Sequence, residues 1–156
     1  MEQIRNLDQL LEYARAVGPK KISVARAEDA EVMEAVESAR KAGIANAVLV
    51  GDVELVSTGQ AQIVMKGMVA TANFLRGVLN KEKGLRSGKT LSHVYIHQVK
   101  GYDRIFFVSD PAFNMYPDIK VKVDIVKNVV ELAHAFGVAC PKVAALAAVE
   151  VVNPDM

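Results

Sequence analysis

Ile63-Val64-Met65-Lys66-Gly67, followed closely by Thr71-Ala72-Asn73-Phe74-Leu75-Arg76, is the stretch that decides how this chain folds. An apolar run that stops at a lysine and a glycine reads as a strand end, and the threonine reads as a helix start. Strand, glycine and helix in that order form the unit from which open α/β sheets are built. The same order gathers positive charge and free backbone N–H groups at one junction, where a phosphate group can be held. An anionic substrate or cofactor is therefore the first functional expectation.

Upstream, residues 3–17 place Ile4, Leu7, Leu10, Leu11, Ala14 and Val17 at helical spacing, and Gly18-Pro19 ends that helix. Ile22 to Ala25 is a short strand behind Lys20-Lys21. Glu28 to Lys41 is predicted as a second helix, with Val32, Met33, Val36 and Ala39 facing inward, acidic residues in its first turn, and Gly43 closing it. Ala47 to Val50 is an apolar strand running into Gly51-Asp52. This alternation predicts a three-layer α/β fold with a mostly parallel sheet. One junction is anomalous: only about ten residues separate Asp52 from the strand at 62–66, where a crossover needs at least roughly 10–12. Val53 to Thr58 has room for a turn or two of helix.

Downstream, the helix from Thr71 is predicted to run to Lys81, followed by a basic, polar connection to Lys89. Ser92–Val99 and Arg104–Ser109, separated by the Gly101-Tyr102-Asp103 turn, read as an antiparallel hairpin inside the mostly parallel sheet. Pro117-Asp118 opens a long helix to Phe136. Its first residues, Ile119 to Ile125, alternate like a strand, but Val126, Val129, Val130 and Ala133 continue a helical pattern and Asp118 can cap it. Gly137 stops the helix, and Val143 to Ala148 is a last strand with no helix after it to cover it.

Composition sets the outer bounds. The 156 residues, 51% hydrophobic and 24% charged, describe one well-buried globular domain or a piece of something larger. A formal net charge of +1 supplies no field for wrapping nucleic acid, and the absence of tryptophan with few other aromatics weakens any claim to a base-stacking surface. No apolar run reaches the roughly 18–20 residues that span a bilayer, and Glu2 makes the start unlike a signal peptide. Cys140 is the single cysteine, so no disulfide forms within the chain and a cytoplasmic setting is the default.

Lys66 and Gly67 lie where ligands of open α/β sheets bind, beyond the carboxyl end of a strand. There Lys66 serves as a point charge on phosphate, Gly67 permits close backbone approach, and Thr71 offers a hydroxyl near a helix N-terminus. Arg76, about 7 Å along the axis from Thr71, can reach back to the same anion because helical side chains tilt toward the N-terminus. The plainer alternative is a strand-terminal lysine in water and an arginine on a solvated face. Asp110 also follows a strand, as an orienting or basic carboxylate or as a loop cap. Asn114 is a turn residue first and a ligand second. No Walker motif or GxGxxG fingerprint is present. His93 and His97, four apart on a strand, lie about 13 Å from each other, so no metal site is expected. Cys140 reads as structural, and Ser92 and Ser109 lack a nucleophile-elbow context.

The ordered series Met65-Lys66-Gly67, Thr71, Phe74-Leu75-Arg76, Leu85-Arg86-Ser87-Gly88, Leu91-Ser92-His93, Ser109-Asp110, Asn114, Pro117-Asp118, Pro141-Lys142-Val143-Ala144 and Glu150-Val151-Val152-Asn153 resembles the phosphate acetyl/butyryltransferase family, its butyryl branch above all. The resemblance extends across most of residues 20–156. It implies an acyltransferase that interconverts acyl-CoA and inorganic phosphate with acyl phosphate and free CoA. No cofactor is bound permanently, and coenzyme A is a co-substrate. The implied fold is like that of isocitrate and isopropylmalate dehydrogenases, two α/β domains with the active site in the cleft between them, in a homodimer or larger homo-oligomer.

On that resemblance, Lys66, Gly67 and Thr71 contact phosphate, Arg76 binds CoA or phosphate, and Asp110 and Asn114 support the cleft. Residues 1–156 then form the N-terminal α/β portion of a two-domain acyltransferase. Two departures accompany this: a strand and helix are missing near 52–54, and so is the half beyond Met156. The serine and aspartate assigned to catalysis in the family fall in that half, so no catalytic residue is assigned here. A competing expectation is a non-catalytic CoA- or phosphate-binding or dimerisation portion of such an enzyme. A nucleotide-binding dehydrogenase-type domain is disfavoured by the missing glycine fingerprint.

Overall fold

The structure, a computed structural model, describes residues 2–49, 53–147 and 149–152. The chain divides into two compact units, one of Leu10–Gly88 and one of Met1–Gln9 with Lys89–Met156. No helix among the described residues is long and apolar enough to cross a membrane.

Helix α1 spans Leu7–Val17. It begins later than its apolar period suggests, because residues 2–6 are used as a strap: Ile4 N donates to Phe136 O at 2.9 Å and Arg5 O accepts from Ile105 N at 2.9 Å. Asn6 Oδ1 then accepts from Gln9 N at 2.8 Å, the geometry of a helix N-cap.

The Leu10–Gly88 unit is built on three parallel strands, β1 (Lys20–Ala25), β2 (Ala45–Val48) and β3 (Ile63–Lys66), in the order β2-β1-β3. β1 is central. Its neighbouring residues Ser23 and Val24 point to opposite faces and are both fully buried, so the sheet is covered on both sides at its middle. Helix α2 (Ala30–Lys41) is capped by Asp29, whose Oδ1 accepts from Glu31 N at 2.9 Å and Val32 N at 3.3 Å. At its other end Gly43 takes φ +74°, donating to Arg40 O, while Ile44 N donates to Ala39 O. Among the described residues, the short junction between β2 and β3 holds one four-residue helix, α3 (Glu54–Ser57), flanked by the buried Val53 and Ala61. Residues 50–52, where the strand was expected to end, lie outside the described residues.

Helix α4 spans Thr71–Val78, three residues shorter than expected. Asn80 ends it: its Oδ1 accepts from Glu82 N and Lys83 N, both at 2.9 Å, and so offers the backbone a turn in place of another helical bond.

In the other unit, β4 (Val94–His97) and β5 (Phe106–Ser109) pair antiparallel, Val94 opposite Ser109 and His97 opposite Phe106. The hairpin is therefore present but stands as its own two-stranded sheet, not within the parallel one. The long helix α5 (Ile119–Ala135) starts where Asp118 Oδ1 accepts from Val121 N at 2.8 Å and stops before Gly137 at φ +80°. Phe107 meets Phe136 edge to face at 5.2 Å between centroids, and Ile125 and Ala133 are buried.

The last strand expected, Val143–Ala148, is not formed. Residues 143–147 join no β-ladder, and Leu146 is 91% exposed. An apolar run becomes a strand only where an edge offers it backbone partners. Ala148 itself lies outside the described residues, as do residues 153–156.

Val24 and Leu146 give the contrast that tests this account of the core. Val24→Ala is expected to lower stability by roughly 2–3 kcal/mol, from lost burial plus the cavity left behind. Leu146→Ala is expected to change it by less than about 0.5 kcal/mol. Urea unfolding followed by circular dichroism checks both.

Candidate functional site

The six residues singled out by sequence fall in the two units: Lys66, Gly67, Thr71 and Arg76 in one, Asp110 and Asn114 in the other.

At the end of β3, Lys66 is the ladder partner of Ala25, the last residue of β1. Parallel pairing then continues past the ladder: Gly67 N donates to Ala25 O at 2.9 Å and Met68 N to Arg26 O at 3.1 Å. These bonds bring two backbones so close that a Cβ on Gly67 would lie 2.2 Å from Arg26 O and 2.6 Å from Ala25 O. The space that glycine leaves open is thus filled by the neighbouring strand end. Lys66 is exposed and makes no ion pair among the described residues.

Thr71 is the first residue of α4, and the preceding Ala70 provides no side-chain cap. Asn73 N and Phe74 N both donate to Ala70 O, which leaves the first-turn N–H groups before them without an intrahelical acceptor. Arg76 leans back one turn and donates from Nη1 to Asn73 Oδ1 at 3.0 Å. The side chain therefore points toward the N-terminal end of α4, as the tilt of helical side chains requires. Gly77 keeps the other face of α4 close to Val53, 3.4 Å from where its Cβ would sit.

Sequence reasoning passed over Arg26. It follows β1 directly and takes φ +56°, the only positive φ at a non-glycine position among the described residues. That conformation costs an ordinary L-residue about 1–2 kcal/mol. The signal was available, since the rule that picked Lys66, a cation at the carboxyl end of a strand, picks Arg26 equally.

In the second unit Asp110 follows β5 across a cis peptide bond from Ser109. Its Oδ1 accepts from Ala112 N at 3.0 Å and Phe113 N at 2.9 Å, and its Oδ2 accepts from Asn114 Nδ2. The Asn114 amide also donates to Leu91 O at 3.0 Å. The 90–92 segment is in turn held on α5: Asn128 Nδ2 donates to Thr90 O and Ser92 Oγ, both at 2.9 Å, and Thr90 Oγ1 donates to Asp124 Oδ2 at 2.7 Å. Asp110, Pro111, Ala112, Asn114, Met115 and Tyr116 line a cavity of about 300 Å³. Partial burial pushes the Asp110 carboxyl up, but the N–H groups of Ala112 and Phe113, the Asn114 amide and the His93 backbone outweigh it and hold the carboxyl below its ordinary value. A carboxylate committed to these donors and held ionised orders its loop; it is poorly suited to accept a proton. His93 and His97 are separated by Tyr95, whose ring lies 4.5 Å and 5.8 Å from theirs.

Gly67→Ala is expected to part the ends of β1 and β3, costing about 2 kcal/mol for two backbone hydrogen bonds at roughly 1 kcal/mol each. Gly77→Ala, with only an ordinary contact to Val53, is expected to be neutral or stabilising; thermal melts compare the two. For Asp110 the sign is that of a depressed carboxyl, whose stabilisation is present above the ordinary pKa of 3.8 and is lost as pH falls through the lower folded value. Asp110→Asn is expected to flatten that acid limb. Urea midpoints measured across a series of acidic pH values check it, and equal slopes in both proteins count against it.

The family model described as phosphate acetyl/butaryl transferase matches residues 52–156. The phosphate butyryltransferase of Clostridium acetobutylicum is 45% identical to the chain, covering 98% of it and 62% of the relative. That alignment runs over 186 positions, longer than the chain of 156 residues, so the relative carries residues with no counterpart here. The phosphate acetyltransferase of Thermotoga maritima is 32% identical, covering 96% of this chain and 62% of its own length. A crystal structure of a branched-chain phosphotransacylase from Enterococcus faecalis superposes with a TM-score of 0.72 and 29% identity over 88% of this chain and 59% of that one. The chain thus spans about six-tenths of the length of these relatives. With the family's model matched over most of its length, the chain belongs to the phosphate acetyl/butyryltransferase family.

Proposed function

We propose that this chain supplies the substrate-holding N-terminal α/β portion of a two-domain enzyme that interconverts acyl-CoA and inorganic phosphate with acyl phosphate and free CoA, in the butyryl or acetyl class. The observation that carries the reading is the β3–α4 junction of a chain in this family. There an exposed Lys66 ends the strand and Arg76 leans toward a helix start whose first N–H groups lack intrahelical acceptors.

In this reading a phosphate oxygen attacks the thioester carbonyl. A C–O bond forms, the carbonyl carbon becomes tetrahedral with an oxyanion, and the C–S bond then breaks to release the CoA thiolate. Direct attack needs no covalent acyl-enzyme. What it needs is phosphate held in place and the negative charge of both substrates offset. Lys66 and the first turn of α4 at Thr71 hold phosphate, with Gly67 fixing the strand end from which Lys66 projects. Arg76 binds CoA or phosphate. Asp110 and Asn114 keep the 110–114 loop ordered as a substrate-contacting surface.

The architecture belongs to the same proposal: a three-layer arrangement like that of isocitrate and isopropylmalate dehydrogenases, with a strand and helix missing near 52–54 and a further half beyond residue 156. The four-residue α3 at that junction and the alignment longer than the chain support the internal gap. Coenzyme A as co-substrate, a cytoplasmic setting and a homodimer or larger homo-oligomer complete it. A second reading, a non-catalytic CoA- or phosphate-binding or dimerisation portion, is favoured by the six-tenths share of the relatives' length.

Thiol release from butyryl-CoA in the presence of phosphate separates the two. Release by the folded 156-residue chain establishes the enzyme. No release, with coenzyme A or phosphate still bound in a calorimetric titration, establishes the binding portion; neither release nor binding removes both the enzyme and the binding portion, and sedimentation then tests the dimerisation portion. Arg76→Ala is expected to weaken coenzyme A about tenfold, as loss of one charge-assisted contact requires, read as KM or as Kd.

A further inference from the structure

We propose that Arg26 is an anion-binding residue that grips a phosphoryl group at the carboxyl end of β1, beside Gly67. The proposal rests on the reading that the β3 end receives phosphate or coenzyme A, and it adds a cation from a different strand.

Three observations converge on Arg26. The first is its conformation. Glycine and asparagine are the residues that tolerate a left-handed backbone, and a turn from β1 toward α2 that needed only the geometry would be served at less cost by either. The chain places an arginine there at φ +56°.

The second is that this conformation is held from outside the side chain. Arg26 O accepts from Met68 N at 3.1 Å and the preceding Ala25 O accepts from Gly67 N at 2.9 Å, so the β3 strand end locks the backbone on both sides of the strained residue. Conformations of this kind persist where the surroundings over-determine them, and they cluster at ligand-binding positions.

The third is that the fold makes little use of the guanidinium. The side chain is 63% exposed, and its one ion pair among the described residues is with Glu28 at 3.5 Å, a carboxylate 79% exposed. A pair so open to water is nearly neutral in energy and gives way to a ligand. The position is also one that a phosphate-bearing ligand reaches: the carboxyl edge of the central strand of a parallel sheet, one residue beyond the ladder partner of Lys66. A planar fork with several donors suits phosphate oxygens better than a lysine would.

Because the backbone there is left-handed, Arg26→Gly removes the guanidinium while relieving the strain, and Arg26→Asn does the same with a side chain that tolerates the conformation. Both are expected to melt at or above the wild-type temperature. Calorimetric titration of the full 156-residue chain with inorganic phosphate, and separately with coenzyme A, is expected to show each variant about tenfold weaker than wild type. Weakening toward coenzyme A alone places the guanidinium on the phosphates of coenzyme A; weakening toward both places it at the free-phosphate position. Unchanged binding in both variants, with Lys66→Ala weakened, overturns the proposal and leaves the reading of the β3 end standing. If wild type binds neither probe, both fall.

Discussion

Two backbone hydrogen bonds, Gly67 N to Ala25 O and Met68 N to Arg26 O, extend the pairing of β1 and β3 beyond their regular ladder. The candidate site of that unit depends on them. They fix where β3 stops, and so where Lys66 projects and where the chain turns into α4. They also leave no room for a Cβ at Gly67. Since the bonds are made by backbone groups, the side chains of residues 26 and 66 are released from any duty in packing. A strand end held this way can display cations at little cost to the fold.

The second unit solves the same problem by the opposite means. Its 110–114 loop is held by side chains, with Asp110 as acceptor for three donors and Asn114 tied to Leu91 O. The 90–92 segment is anchored to α5 through Asn128 and Asp124. A network in which each member satisfies the next is rigid, but it fails from any one position. The ionised state of Asp110 adds to that rigidity, because hydrogen bonds to a charged acceptor are stronger than those to a neutral one.

Helices were the most legible feature of the sequence, because their ends are written locally. Asp118 and Gly137 bound α5, and Gly43 follows α2, where the sequence placed them. The alternating start of α5 was resolved correctly by its longer helical period. The features that misled all depend on partners distant in sequence. Residues 3–6 carry a helical pattern but are claimed by Ile105 and Phe136 as a strap. Val143–Ala147 is apolar, yet no edge receives it. The hairpin pairs with itself and does not join the parallel sheet, a choice its alternation does not encode. At the site, the residue types at the β3–α4 junction were readable, and Arg76 does turn back toward the start of its helix. What glycine 67 makes room for was not readable, since the carbonyls that fill the space belong to a strand some forty residues earlier. Asp110 was left between an orienting or basic carboxylate and a loop cap or lysine partner; its contacts in the structure are those of a loop cap.

The charge of Arg76 is held differently from charge elsewhere in the same unit. Arg40 and Lys41 share the Glu37 carboxylate, and Lys83 reaches Glu54 at 3.2 Å, so these cations are neutralised locally. Arg76 is oriented by a neutral amide instead, which fixes its direction and leaves its full charge in place. An incoming phosphate 4 Å from such a cation gains about 1 kcal/mol in bulk water and about 4 kcal/mol at the effective dielectric of a protein surface. One exposed cation is therefore too weak to hold an anion firmly, whereas several at the ends of neighbouring elements add. A site assembled that way, from exposed charges on a backbone-locked scaffold, owes its affinity to long-range attraction, and added salt erodes it within a Debye length of about 8–10 Å. The rigidity of the β1–β3 strand ends is what lets those charges add, because each stays where the backbone puts it.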